Sequence, residues 1–175
     1  VVTHTSAAMA ALTWMTMSWW LGGKPSVLGA ASGAVAGLGA ITPASGFVTP
    51  AAAMLIGLAA GSLCYLACRF RLHARVDDSL DVWGVHGVGG TLGTIAIGLF
   101  GTVAVNSAGA NGWFYGNPSQ LLVQVVAAAV TWVFVFVMTA VILKVIDAIW
   151  GLTLDEHDEA VGLDVTQHGE PAYQM

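Results

Sequence analysis

Residues 81–90 read DVWGVHGVGG, a histidine set among glycines and valines five positions after the last nearby charge. The surroundings of that histidine decide the fold, because water, a protein core and lipid each give it a different meaning. Charge separates the three. The chain is 57% hydrophobic and 9% charged, with a mean hydropathy of +0.78, whereas soluble domains are about 25% charged. No formal charge lies between Val1 and Gly23, within the 44 residues between Lys24 and Arg69, or within the 62 between Asp81 and Lys144. A spanning helix takes about 20 mostly apolar residues, so these runs hold one, two and two spans.

Turn-forming residues mark the divisions. Pro43, Gly46 and Pro50 split the second run, and NSAGANGWFYGNPS (106–119) splits the third. The expected helices lie near 1–22, 26–42, 50–69, 80–103 and 119–147. The fold class is therefore all-α, a polytopic membrane bundle of five spans over residues 1–150, followed by a distinct segment over 151–175. Residue 1 already stands in or beside a helix, with no basic stretch ahead of the apolar run, so the chain reads as part of a longer protein rather than as one with a signal peptide.

Numbering the spans in order, Lys24, Arg69, Arg71, Arg75 and Lys144 all fall on one side, and the two opposite loops carry no Lys or Arg. The positive-inside rule makes that side cytoplasmic and places the C-terminus there, in a cell membrane. Trp19, Trp20 and Trp150 fall at the inner interface and Trp113 at the outer.

Close packing is written into the second span, SVLGAASGAVAGLGAIT (26–42). Gly29, Gly33 and Gly37 recur every four residues, which lets another helix approach closely, although a pore-lining role for this face stays open. The third span carries Ala53, Gly57 and Gly61 at the same spacing and is the expected partner. Its Cys64 and Cys68 share a helical face with no His or carboxylate nearby, so they read as small buried residues rather than metal ligands. Asp77, Asp78, Ser79 and Asp81 precede the fourth span. Helix capping by Asp78 or Ser79 is one reading of this cluster, and shaping of the inner mouth is the other.

His86 lies about 8 Å deeper than Asp81 at 1.5 Å per residue. On a regular helix Val82, Trp83, Gly90 and Gly93 share its face. An ionisable residue in a span points to function, although a neutral histidine bonded to a neighbouring helix stays open. Haem ligation requires a second histidine at matching depth, and His4 lies toward the other end of the first span. Conduction suits the stripe better. Neutral imidazole accepts one hydrogen bond and donates another, and it titrates near neutrality. A greasy lumen of this kind suits a small solute that crosses uncharged, because a bare cation pays several kcal/mol or more to enter.

Three stretches carry a family resemblance: RVDDSLDVWGVHGVGG (75–90), KPSVLGAASGAVAGLGAITPASGFV (24–48) and GLDVTQHGEPAY (162–173). Together they resemble the ammonium transporter family, over the C-terminal part with its last five spans and cytoplasmic tail. The resemblance implies an eleven-helix pseudo-symmetric fold, assembled as a homotrimer with a pore through each subunit. It assigns His86 to the second position of a twin-histidine pair, Val82, Trp83 and Thr42 to the pore, and Asp81 to the acid before the inner-pore helix. The first pore histidine, the outer aromatic gate and the ammonium-binding aromatics would then lie outside residues 1–175. Transport of ammonium, deprotonated and passed as ammonia, is the implied function, with a membrane sensor of ammonium as the alternative. Catalysis, a cofactor, a metal and a nucleic-acid partner are not expected.

Residues 151–175 carry six carboxylates and no Lys or Arg, a formal charge of −6 against +1 for residues 1–150. A solvated acidic tail is one reading. Val161, Leu163, Val165 and Tyr173 interrupt the acids, so docking of 155–173 onto the cytoplasmic loops is the other. The resemblance implies a tail that communicates between subunits and a face on which many members bind a PII-type regulator.

Overall fold

The structure, a computed structural model, describes residues 1–173. Five long helices follow one another as expected: α1 (Val2–Gly22), α2 (Val27–Ile41), α3 (Pro50–Ala74), α4 (Val88–Phe100), preceded by a widened turn over Trp83–Gly87, and α5 (Ser119–Trp150). A short helical turn over Trp113–Tyr115 precedes α5, and two short helices, α6 (Glu156–Val161) and α7 (Leu163–Thr166), follow it among the described residues; the chain forms two compact units, Val1–Val130 and Thr131 onward.

Local chemistry sets the ends. Ser26 Oγ accepts from the Gly29 amide at 3.0 Å, and Thr49 Oγ1 accepts from the Ala52 amide at 3.3 Å with Pro50 leading α3. Both are N-caps that satisfy free amides. α3 runs five residues past its expected end at 69. Arg71 and His73 occupy its last turn, where cations suit the helix dipole. It stops at Arg75, whose φ of 53° is left-handed, with Val76 N donating to Arg71 O at 3.3 Å.

Among the described residues, α3, the Trp83–Phe100 helix and α5 are the helices both long and apolar enough to cross a membrane by themselves. α2, with 15 residues, is about 22 Å long, short of the roughly 30 Å hydrocarbon core. α1 is long enough, but hydroxyl side chains lower its hydropathy. Those hydroxyls are satisfied internally: Thr13, Thr16 and Ser18 donate at 2.8 Å to the carbonyls of Met9, Leu12 and Met15. Such back-bonding lets polar groups persist where water is absent.

Two sets of contacts fix the up–down order within the first unit. At one end Thr3 Oγ1 meets Ser45 Oγ at 3.1 Å, and Thr102 N donates to Phe47 O at 2.9 Å, gathering the start of α1 with the loops after α2 and α4. At the other end Arg69 Nη1 donates to Leu21 O at 3.3 Å, and Arg71 Nη2 lies 2.9 Å from Asp81 Oδ1. Lys24, Arg69, Arg71 and Arg75 thus share one end of this unit.

The small-residue stripes of α2 and α3 pack on α1 rather than chiefly on one another, which corrects the expected pairing. A Cβ at Gly33 would lie 2.8 Å from Ala10 O, and one at Gly61 2.6 Å from the same oxygen. One turn away, Gly37 and Gly57 both face Ser6 O. α1 is therefore held at two levels by a glycine from each side, close enough for backbone to touch backbone. Ser6 Oγ donates to Gly37 O at 3.0 Å at the same level. The pattern was visible on α2 and α3, but the matching i, i+4 stripe on α1 (Ser6, Ala10, Trp14, Ser18) contains no glycine to announce it. Trp14 closes the stripe edge-on to Tyr65, with ring centroids 5.7 Å apart.

In the second unit the acidic segment makes its own local structure. Asp155 caps α6 through the His157 amide at 3.0 Å, and Thr166 Oγ1 donates back to Gly162 O at 3.0 Å. Gly162, at φ 114°, breaks the chain between α6 and α7. Asp164 closes the following turn: its Oδ2 accepts from the Ala172 amide at 2.8 Å and its carbonyl from the Glu170 amide at 3.1 Å. The Ala172 hydrogen bond, chiefly, holds the Asp164 carboxyl below the usual carboxylate range.

Two outcomes follow from this packing. Gly33→Leu should cost about 1–3 kcal/mol by overpacking against Trp14 and Ala10, read as a lowered melting temperature of the detergent-solubilised protein. A lowered folded pKa gives Asp164 a stabilising role that is complete above the unfolded value near 3.9 and lost as pH falls through the folded one. The Ala172 amide resonance should therefore stay put from pH 7 to 5 and move only below about 3.9, and Asp164→Ala should abolish that transition.

Candidate functional site

The chain enters the histidine segment through a tight acidic turn. Asp81 adopts a left-handed φ of 54°, which Asp tolerates better than most residues, and its carboxylate stands against the mostly buried Arg71. The contact is one of charge, since neither Asp81 Oδ1 nor Arg71 Nε completes a well-angled hydrogen bond. Asp78 does the capping. Its two oxygens accept from the amides of Val82 at 2.9 Å and Trp83 at 2.8 Å. Ser79 is exposed and caps nothing.

His86 sits in the Trp83–Gly87 turn, where Val88 N donates to Trp83 O, five residues back instead of four. Widened turns of this kind recur at functional sites. The extra residue changes which side chains share a face. Val82, Trp83 and His86 are exposed in this chain, and at Gly90 an added Cβ would meet nothing within 4 Å. Gly93 does not join them. A Cβ there would run into Ala40 O, so Gly93 packs on α2. A regular helix puts Gly93 on the histidine's face, whereas here it packs on α2.

The opposite wall comes from α2. Gly39, which the four-residue repeat does not include, brings backbone close to the imidazole: an added Cβ would stand 4.0 Å from His86 Nδ1 and 3.9 Å from Val85 O. Its signal in the sequence is its offset. Two residues past Gly37 is about 200° around the helix, so the stripe and Gly39 serve different neighbours. Thr42 follows one turn later as the C-cap of α2, exposed, with its Oγ1 donating to Leu38 O at 2.7 Å. That bond leaves the hydroxyl oxygen able to accept. Val82, Trp83, His86 and Thr42 are thus all exposed, with Asp81 at the foot of the turn.

The inner side of the turn is tightly packed. Cys64 and Cys68 are buried free thiols on α3, and Gly84 and Gly89 face them. His4, at the start of α1, lies near the opposite end of the unit from the Arg71–Asp81 contact, so two histidines facing each other at one depth do not occur between these spans.

The Ammonium Transporter Family profile matches residues 1–173. An ammonium transporter of Bacillus subtilis is 51% identical over 174 residues, covering 98% of this chain and 43% of that protein. Ammonium transporter Amt1 of Archaeoglobus fulgidus is 48% identical over 173 residues, covering 99% of this chain and 44% of the other. The crystal structure of Saccharomyces cerevisiae Mep2 superposes with a TM-score of 0.86 at 33% identity, over 95% of this chain and 39% of that one. A structure described as a sensor Amt protein has a TM-score of 0.79 at 24% identity, a likeness of fold alone. The chain spans less than half the length of the curated relatives it matches.

Because Asp78 satisfies two amides at the foot of the site, Asp78→Ala should destabilise the protein by about 0.5–2 kcal/mol, whereas Ser79→Ala should leave its thermal unfolding unchanged. Equal effects of the two substitutions would contradict the capping geometry.

Proposed function

Because this chain belongs to the ammonium transporter family, we propose that it supplies the inner, histidine-bearing part of a pore that moves ammonium across the cell membrane as ammonia. The observation that carries the reading is the two-sidedness of the Trp83–Gly87 turn. Its inner side is packed against α3, while His86 stands on the outer side among Val82, Trp83 and the bare backbone of Gly39 and Gly90. An imidazole on an apolar, partly side-chain-free wall serves a small solute that has no use for a charged or strongly hydrated path.

Ammonium recruited at the outer side gives up a proton before entry, since carrying the full charge through an apolar lumen costs several kcal/mol or more. Ammonia then travels as a neutral donor and acceptor. His86 offers it a hydrogen-bond partner, since a neutral imidazole donates from one ring nitrogen and accepts at the other. Val82 and Trp83 keep the wall dry, and Thr42 provides an acceptor further along α2. Asp81 acts at the inner mouth by holding the entry turn against Arg71. The first pore histidine and the outer recruitment site belong, in this reading, to a segment beyond residues 1–175.

Residues 1–150 are the C-terminal part of the transport domain and 151–175 an acidic cytoplasmic tail. The basic end of the first unit is the cytoplasmic one. A homotrimer, and a PII-type regulator at the cytoplasmic face, belong to the same reading.

The test is flux in proteoliposomes that hold the full-length protein. His86→Ala should lower methylammonium-driven current by on the order of tenfold or more, equivalent to about 1.4 kcal/mol in the barrier, or change its selectivity, with folding and assembly retained. Wild-type current and selectivity would overturn the assignment. Ammonium binding with a conformational response and no flux from the wild type would favour a sensor.

A further inference from the structure

The inner side of the histidine turn has a register of its own. Gly84 and Gly89 are both buried against α3. A Cβ at Gly84 would lie 2.5 Å from Cys68 Sγ and 3.2 Å from Cys68 N, and one at Gly89 would lie 3.4 Å from Cys64 Sγ. The helices run antiparallel, so the lower glycine meets Cys68 and the upper one Cys64. The two cysteines are four residues apart, one turn of α3, whereas the glycines that meet them are five apart. In a plain α-helix the residue four above Gly84 is Val88, whose larger side chain would take the place that Gly89 holds here at ordinary contact distance from Cys64. The widened turn supplies the extra residue that brings Gly89 into place. Val88 is partly buried and packs against the same cluster, which holds Trp14, Ala36, Tyr65 and Val85 together with the two cysteines.

Cys64 adds a directional contact. Its Sγ lies 3.9 Å from the carbonyl oxygen of Val85, the residue before His86, in a buried position that suits a weak S–H donor. Both thiols are small enough for the close approach, and Cys64 also reaches the backbone of the turn. Neither touches the open face.

We propose that Cys64 and Cys68 are positioning residues for His86: the two thiols, one turn apart on α3, hold the widened turn in register and so set the direction of the imidazole. The proposal concerns the placement of His86 and rests on the transport reading only for its second readout.

The experiment uses the full-length protein labelled with 15N-histidine, with the His86 ring signals identified by their loss in His86→Ala, at one fixed pH. Gly84→Ala forces a methyl group against Cys68, so the His86 signals should shift and the methylammonium flux should fall. Adding Cys68→Ala removes the sulfur from that collision and should return both toward wild type. Cys64→Ala, which only deletes a thiol, should also shift the His86 signals in a folded protein. Unmoved His86 signals in folded Gly84→Ala overturn the proposal, as does failure of Cys68→Ala to restore them. If Gly84→Ala does not fold, Cys64→Ala decides: unmoved signals in that variant overturn the proposal. Shifted signals with undiminished flux uphold the positioning role and overturn the part given to His86 in conduction.

Discussion

In a bilayer, two helices gain nothing hydrophobic by touching, since lipid tails solvate leucine as well as another leucine does. Association then depends on how closely backbones approach and on the few polar groups that find partners. The contact of α1 with α2 and α3 meets that constraint at two levels. The carbonyls of Ser6 and Ala10 each face one glycine from either neighbour, and the hydroxyl of Ser6 ties the same level to Gly37. With α1 pinned in this way, α2 and α3 acquire fixed mutual positions. The histidine turn and α4 can then be laid against both.

Concentrating small residues on the packed sides has a consequence for the site. Gly84 and Gly93 leave no room for a side chain toward α3 and α2, and several larger groups of the same segment, though not Val85, are turned outward. Val82, Trp83 and His86 stand on the far side for that reason. The backbone is strained where the chain enters the turn, at the left-handed Asp81, and a charge contact with Arg71 accompanies the strain. Asp78 meanwhile satisfies two of the amides that every helix start leaves free. Asp78 and Asp81 thus stand three positions apart, and their partners, two backbone amides for one and Arg71 for the other, tell them apart.

The acidic C-terminal segment follows a different logic. With few apolar residues to bury, it draws order from short-range hydrogen bonds: a capped turn of helix, a glycine break and the Asp164 turn. Its apolar residues Val161, Leu163 and Val165 are left half-exposed.

The helix count, the approximate ends and the sharing of one end by Lys24 and the three arginines were legible in the sequence, because each follows from a cost every residue pays alone. Uncharged length, turn formers and the placement of Lys and Arg are local quantities. The small-residue stripes of α2 and α3 were legible as packing faces, but not their partner. A glycine states that something comes close without stating what, and α1 answers with serine, alanine and tryptophan. His86, Val82 and Trp83 could be grouped from helical spacing, whereas Gly93 could not, since spacing assumes 3.6 residues per turn. The widened turn breaks that assumption. Across it Gly84 meets Cys68 and Gly89 meets Cys64 on another helix, a matching of two registers that neither segment contains by itself. Local chemistry chose the elements; the meeting of their backbones decided where the histidine points.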